Sequence, residues 1–279
     1  MNILVCLKQI LDPEMPAREF RIDEVGSDVD LRGAGLVMNI FCANALETAL
    51  QFREQHGGKI TVLAFGTATT EEILRKALAL KVDAAVLVKH EFAARPNPWL
   101  VARSLAGAIR KLGGFDLVLT GRESGDWGDG QTGGLLAEEL GLPCVSFADQ
   151  LSTSPSTAGR PTAGRPTSGR LVIRRQTDQG TETVDASVPL VVTVTNNEHN
   201  VPRIAKTRDV MQAFRLPLTT LSIADIGLNE SDIDGALRRT GVNSLVIPSK
   251  QAHCEMVIGD TLDDRITNLA KKIIAVVQS

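Results

Sequence analysis

Short apolar, β-branched runs alternate with stretches of helical period through the first 148 residues. Strand-like runs fall at Ile3–Leu7, Ile60–Phe65, Ala84–Val88, Asp116–Thr120 and Pro143–Phe147. Between the first two, Ala45, Leu46, Ala49, Leu50 and Phe52 recur at helix spacing, with Glu47, Gln51 and Glu54 on the other side. A second helix opens at Thr70-Glu71 and runs through Leu80. Trp99, Leu100, Ser104, Leu105 and Ile109 mark a third, and Leu135, Leu136, Glu139 and Leu140 a fourth. Gly57-Gly58, Gly113-Gly114 and Gly141 punctuate the helix ends. The alternation predicts an α/β fold, a mostly parallel sheet with helices on both faces. Such sheets bind ligands at the carboxyl ends of their strands, which singles out the loops Lys8–Glu14, Gly66–Thr70 and Gly121–Gly134.

The pattern breaks after residue 148. Thr157-Ala158-Gly159-Arg160-Pro161 repeats as Thr162-Ala163-Gly164-Arg165-Pro166 and again, in part, as Thr167-Ser168-Gly169-Arg170. The repeat has no apolar period and reads as an exposed, flexible insertion over 152–170. Leu171–Arg175 and Thr181–Val184 then read as a hairpin around Asp178-Gln179-Gly180. Pro189–Thr195 is apolar enough to be a central strand that rejoins the sheet. Regular periodicity is lost over 196–260, and a final helix, Leu262–Val277, carries Ile266, Leu269, Ala270, Ile273 and Ile274 on one face. A long irregular tail of this kind is expected to pack against a partner subunit.

Composition narrows the function. With 43% hydrophobic and 23% charged residues the chain is an ordinary globular protein, and a net charge of −3 gives no basic footprint for nucleic acid. Its apolar runs are strand-sized, so no direct membrane insertion is expected. Met1–Lys8 reads as a strand and lacks the features of a signal peptide. Cys6, Cys42, Cys144 and Cys254 form no CxxC pair, and His56, His90, His199 and His253 have no ligand spacing. Together these predict a cytoplasmic protein without a metal site. There is no tyrosine, and there are only two tryptophans and eight phenylalanines, so aromatic stacking is not expected to be the main grip on a flat ligand.

The densest chemical signal is the glycine-rich stretch from Leu119 to Leu135, which follows a strand and precedes a helix. Gln131, Thr132 and Gly133 would stand at the helix N-terminus, where free N–H groups attract a phosphate. Read structurally, the same stretch is a turn with Thr132 as helix cap. It is neither a Walker loop nor GxGxxG. Asn39 precedes the first helix and suits a simple cap, and Lys8 suits a solvated charge at a strand end. Asp126 with Asp129 and Cys42 with His56 are formal candidates for acid–base or nucleophilic chemistry. Neither pair has a visible orienting partner, so a classical acid–base or nucleophilic enzyme is not favoured.

Taken together these segments resemble the β subunit of electron transfer flavoproteins. The resemblance rests on Val5-Cys6-Leu7-Lys8 with Asp12, on Asn39 and Phe41-Cys42 with Ala45-Leu46-Glu47, and on Leu74-Arg75 with Ala77-Leu78-Ala79. It rests also on Asp126 with Gln131-Thr132-Gly133, and on Asn200-Val201-Pro202-Arg203 after Pro189–Val194. The motifs stand in family order and spacing over nearly the whole chain outside the pentad loop, closest to the bacterial FixA-like branch. The resemblance implies an adenine nucleotide alpha hydrolase-like, Rossmann-like fold that pairs as a heterodimer with an electron transfer flavoprotein α subunit. That subunit shares in holding a redox-active FAD, while this one holds AMP or, alternatively, a second FAD. Cys6, Asn39, Cys42 and Phe65 would surround the adenosine. Asp126, Gly130, Gln131, Thr132 and Gly133 would surround the phosphate, largely through backbone groups. Arg203, Ile204, Lys206, Thr207, Arg208 and Met211 would dock a dehydrogenase or a ferredoxin- or quinone-linked redox partner. The domain reading is then a nucleotide-binding α/β domain over 1–195, with a partner-docking loop, extended arm and C-terminal helix over 196–279.

Four positions depart from that pattern. Lys81-Val82-Asp83 replaces Gly-Ala-Asp, altering a turn and adding a charge toward the site. Gly130 replaces Asn, Trp127 stands where small or acidic residues are common, and Thr207 replaces an anchoring leucine. Thr132 resembles AMP-binding members, whereas the FixA-like features point to an FAD-binding, electron-bifurcating type. A free-standing adenine-nucleotide-binding module is the competing reading. It would show a Ser/Gly-rich loop where this chain has Lys8-Gln9-Ile10-Leu11-Asp12.

Overall fold

A computed structural model describes residues 1–23, 28–30, 33, 35–92, 95–153, 169–239, 241–247 and 254–278. They form two compact units, Met1–Ser244 and Leu245–Ser279. In the first, the strands are β1 (Asn2–Leu7), β2 (Gln9–Leu11), β3 (Leu36–Met38), β4 (Lys59–Gly66), β5 (Ala84–Lys89) and β6 (Leu117–Gly121), then β7 (Cys144–Thr153), β8 (Arg170–Thr177), β9 (Gly180–Ser187), β10 (Leu190–Val194) and β11 (Thr219–Leu221). The helices are α1 (Ile40–His56), α2 (Glu71–Ala79), α3 (Pro98–Leu112), α4 (Thr132–Leu140), α5 (Thr207–Ala213) and α6 (Glu230–Leu237).

Nine strands share one sheet in the order β11-β5-β4-β1-β6-β10-β7-β8-β9. The first seven run parallel, and β7-β8-β9 add an antiparallel edge. Parallel strands covered on both faces must be apolar throughout, which explains why β10 and residues 3–7 of β1 are wholly buried. Alternate residues feed two cores. Ile3, Val5, Leu7 and Val62 pack under α1 and α2, while Leu4, Cys6, Leu63 and Val118 pack under α3, α4 and α6. Pro189–Thr195 does rejoin the sheet centrally, as β10 between β6 and β7. The β8–β9 hairpin turns at Asp178-Gln179, before Gly180 at a φ of +130°.

Helix ends follow local chemistry. Asn97 caps α3 by accepting the Leu100 N–H at 2.9 Å, with Pro98 at the first helical position. Gly57 and Gly113, both at positive φ, close α1 and α3. Residues 154–168, which hold most of the pentad repeat, lie outside the described residues. The flanking strands reach in to Thr153 and out from Arg170, so both ends of the predicted insertion belong to the sheet.

The stretch after β10 is more ordered than its sequence suggests. Chain packing places 196–244 with the sheet rather than with the C-terminal helix. Helix α5 rests on α2, where Arg75 donates to the carbonyls of Ala213 and Leu216 at 2.9 and 2.6 Å. β11 extends the sheet beside β5, and α6 buries Ile233 and Ala236. Gly107 of α3 is required there, since a Cβ would stand 2.6 Å from the Ile226 carbonyl oxygen.

By itself, the second unit carries α7 (Leu262–Val277), opened by a Thr261/Asp264 capping box. Its bounds coincide with those read from the sequence. No helix among the described residues is long and apolar enough to cross a membrane.

Lys81 corrects one expectation. It keeps the left-handed turn its glycine counterpart would supply, at a φ of +65°. The turn precedes β5, at the amino edge of the sheet, and its ammonium lies 3.9 Å from Asp209 on α5, so it adds no charge to the carboxyl edge. Lys81→Gly should therefore raise stability by about 1 kcal/mol, because glycine meets no Cβ penalty there. Urea denaturation of the two proteins measures the difference.

Candidate functional site

The sheet order reverses around β1. From β1 the chain moves outward through β4 and β5, then returns to β6 on the other side. The crevice between the diverging loops lies at the carboxyl ends of β1 and β6. Three segments meet there: Lys8 after β1, Asn39 before α1, and the loop between β6 and α4.

Asn39 does not cap its helix. It occupies the N-cap position but makes no side-chain cap bond. Its buried amide instead donates to the Glu123 carbonyl at 2.8 Å and accepts the Gly125 N–H at 3.0 Å. The same amide nitrogen lies 3.4 Å from the Cys42 sulfur. Its backbone N–H reaches the Lys8 carbonyl at 2.9 Å. Asn39 therefore ties the end of β1 to the loop after β6, a role that no local signal in the sequence marks.

Lys8 is likewise more than a solvated charge. Its ammonium contacts both carboxylate oxygens of Asp126, at 2.7 and 2.9 Å. Burial alone would raise the Asp126 pKa, but Lys8, the Ser124 hydroxyl and the Trp127 N–H together outweigh it and hold the carboxyl below its usual range. Asp126 also accepts the Trp127 N–H at 2.9 Å, and the buried Ser124 hydroxyl stands beside it. Asp129 turns elsewhere, to Arg95 at 2.5 Å. The two carboxylates each serve a separate cation, so they do not form an acid–base pair.

Cys42 and His56 are also apart. They lie fourteen positions from one another on α1, about 21 Å at 1.5 Å per residue. His56 packs on Phe52 at the far end. Burial raises the thiol pKa of both Cys6 and Cys42, so neither is a ready nucleophile.

The start of α4 is shaped for close approach. Gln131 takes the N-cap position without a side-chain cap bond, and Thr132 is the first helical residue. Thr132 is thus not the cap, and the first-turn N–H groups lack a side-chain partner. A Cβ on Gly133 would strike the Thr193 methyl and stand 2.7 Å from Thr120 Oγ1. That Thr120 hydroxyl is buried and has no hydrogen-bond partner among the described residues, a costly state unless something accepts from or donates to it. The α4 first-turn N–H groups and the Thr120 hydroxyl are donors of the kind a phosphate takes, while the Lys8 ammonium is already paired with Asp126.

The other expected contacts are spread around this crevice. Cys6 ends β1 on the α3/α4 face, whereas Cys42 faces β6 from α1. Phe65 ends β4 and meets Phe92 edge-on at 5.0 Å. Asn39, Cys42 and Asp126 are drawn into one network with Lys8, Glu123 and Gly125, while Phe65 belongs to a neighbouring aromatic group with Phe92 and His90.

On the expected docking segment, Ile204 and Met211 are exposed, at 95% and 69%. Lys206 precedes α5, and Thr207 and Arg208 form its first turn. Arg203 points the other way: its guanidinium grips the buried Glu47 of α1 at 2.7 Å and also pairs with Glu54. It anchors the segment while its side chain stays exposed.

A family model described as "Electron transfer flavoprotein domain" matches residues 29–225. The chain is 28% identical over 274 residues to the caffeyl-CoA reductase-Etf complex subunit CarD of Acetobacterium woodii, covering 98% of each chain. It is 31% identical over 234 residues to protein FixA of Azorhizobium caulinodans, covering 82% of this chain and 78% of that one. With the electron transfer flavoprotein subunit beta of Bacillus subtilis it shares 29% identity over 280 residues, covering 100% and 98%.

Asn39→Ala should cost about 2 kcal/mol, because it strands the Glu123 carbonyl and the Gly125 N–H. Urea denaturation measures it. The Lys8–Asp126 pair should also give a pH signature. A carboxyl depressed in the folded state adds stability above its unfolded value, and that stability is lost as pH falls through the folded value. The stability difference between the wild type and Lys8→Met should be full above about pH 4 and shrink below it.

Proposed function

The chain belongs to the electron transfer flavoprotein family, and from that premise we propose that it is the β-type subunit of a heterodimeric electron carrier and holds AMP at the carboxyl edge of its sheet. The observation that supports an adenine nucleotide at this edge is the cradle at the first turn of α4, and the likeness of Thr132 to AMP-binding members favours AMP. Gly133 leaves no room for a side chain, the Thr120 hydroxyl is buried without a partner, and Lys8 stands at the end of β1 across the same crevice. A nucleotide phosphate would receive the α4 N–H groups, with Asp126, Gly130, Gln131, Thr132 and Gly133 shaping the turn around it. Cys6, Asn39, Cys42 and Phe65 would line the adenosine.

Binding and orientation are what this chain's residues contribute. A FAD shared with the α subunit supplies the redox chemistry. The depressed Asp126 carboxylate keeps Lys8 fixed at the crevice, and Asn39 holds the loop after β6 in register. Ile204 and Met211, exposed on a segment anchored by Arg203, support the reading of 203–211 as the surface that meets a dehydrogenase or a ferredoxin- or quinone-linked redox partner.

A second reading replaces AMP with a second FAD, as in an electron-bifurcating FixAB-type flavoprotein. It draws support from the similarity to FixA and to the CarD subunit of a caffeyl-CoA reductase complex. Both nucleotides share the adenosine and its phosphate, so the cradle serves either.

Co-expression with an α subunit, denaturation of the purified complex and mass identification of the released nucleotides tests the assignment. One FAD and one AMP per heterodimer is the expected result. Two FAD per heterodimer would establish the second reading, and a complex without any adenine nucleotide would sink both.

A further inference from the structure

Thr193 of β10 and Thr120 of β6 are paired in register, side by side at the carboxyl edge. Both sit on the face that α4 covers. Val191 and Val118, two residues before each, belong to the core under that helix. Gly133, in the first turn of α4, lies against the pair. A Cβ built there would stand 2.4 Å from Thr193 Cγ2 and 2.7 Å from Thr120 Oγ1. The helix backbone therefore rests on the Thr193 methyl. The buried Thr120 hydroxyl, without a partner among the described residues, is aimed into the same turn.

An irregularity in β7 holds the other side of Thr193. Val145 pairs with Val192 and Ala148 with Val194, so Ser146 and Phe147 both stand opposite the single Thr193. Val145 and Ala148 are both buried in the core under α1 and α2, which positions three apart on a regular strand cannot be. The bulge allows it, and it puts Phe147 at a φ of +60°, the left-handed region that bulky residues avoid. In that conformation the Phe147 N–H donates to Thr193 Oγ1 at 3.0 Å. A β-branched side chain has few rotamers. With its oxygen drawn toward β7, the buried Thr193 keeps its methyl on the α4 side.

We propose that Thr193 is a positioning residue for the nucleotide phosphate: the bulge at Phe147 fixes its hydroxyl, and its methyl seats the first turn of α4. The proposal rests on the adenine-nucleotide reading of the site. It applies to AMP and FAD alike, because both carry a phosphate on the adenosine. Hydrogen bonds weaken steeply when misaligned, so the α4 N–H groups serve a phosphate only if their turn has the right height and tilt. Glycine at 133 lets the helix settle onto the sheet, and the Thr193 methyl sets where it stops. Serine at 193 would keep the bond from Phe147 but remove the stop. Valine would keep the stop but leave the Phe147 N–H without its acceptor.

The test is calorimetric titration of the full-length chain, freed of bound nucleotide, with AMP and separately with adenosine. Adenosine lacks only the phosphate, so a general loosening of the fold weakens both ligands, whereas a misplaced α4 turn weakens AMP alone. The wild type should bind AMP at least about ten times more tightly than adenosine. Thr193→Ser should weaken AMP about tenfold and adenosine less than about threefold. Thr193→Val should lower the melting temperature, yet keep the ratio of the two affinities within about threefold of the wild type. Should Thr193→Ser not fold, as judged by thermal melting, Gly133→Ala takes its place. It disturbs the same contact from the helix side, and the same selective loss of AMP is expected. An unchanged ratio in Thr193→Ser or its stand-in overturns the proposal, as does an equal loss of both ligands, which would make the contact merely structural. A ratio lost as fully in Thr193→Val overturns it too, since the methyl would then not be what matters. A wild type that binds AMP no more tightly than adenosine also overturns it, because the phosphate is then not held at α4. A wild type that binds neither would instead refute the adenine-nucleotide reading itself.

Discussion

The carboxyl edge of this protein depends on one buried amide. Asn39 sits where α1 begins, yet its side chain is committed to the loop after β6, more than eighty residues away. A buried amide must find partners for its N–H and its oxygen, and here both partners are backbone groups of the same loop. That fixes the turn in which Asp126, Trp127 and Asp129 are displayed. The Lys8–Asp126 and Arg95–Asp129 pairs then act on a loop whose path is already constrained. Without Asn39, the rest of the loop's contacts, among them Arg122 N–H to the Val194 carbonyl and Gly128 N–H to the Ser124 carbonyl, would have to hold a glycine-rich segment against its conformational entropy.

The same loop gathers paired charges and unpaired donors at one edge. Asp126 pairs with Lys8, Asp129 with Arg95, and the Cys42 sulfur lies beside the Asn39 amide. The Thr120 and Ser124 hydroxyls, buried without a partner among the described residues, and the first N–H groups of α4 are groups suited to holding a ligand. This division agrees with a family whose electron chemistry belongs to a flavin.

The stretch after β10 has a different logic. Its apolar residues divide into two sets: Ala213, Leu221, Ile223, Ile226 and Ile233 are buried in the two cores, whereas Val201, Ile204, Met211 and Phe214 are exposed. The segment thereby packs on α2 and α3 and at the β5 edge while it presents Ile204 and Met211 outward. Arg203 secures its start by pairing with a buried glutamate on α1, which explains why an ionic residue is tolerated at Glu47.

The alternation of β-branched runs with helical periods was enough to place α1 to α4, α7 and most strands of the main sheet, because burial on both faces of a parallel sheet writes itself into local pattern. The central placement of β10 was legible for the same reason, and the antiparallel hairpin from its turn residues Asp178-Gln179-Gly180. The expected ligand segments could also be named, since a strand that runs into a glycine-rich turn and then a helix is a local feature. What the sequence alone could not decide were the long-range pairings: Asn39 with Glu123 and Gly125 and Lys8 with Asp126, each across more than eighty residues, and Arg95 with Asp129 across thirty-four. Read locally, Asn39 is a helix cap and Lys8 a solvated charge. β11 and α6 escaped for a related reason, as three-residue strands and short helices have too little period of their own and take their shape from the surface they cover. Only the folded sheet, by bringing the ends of β1, β4, β5 and β6 to one edge, turned those separate residues into a site.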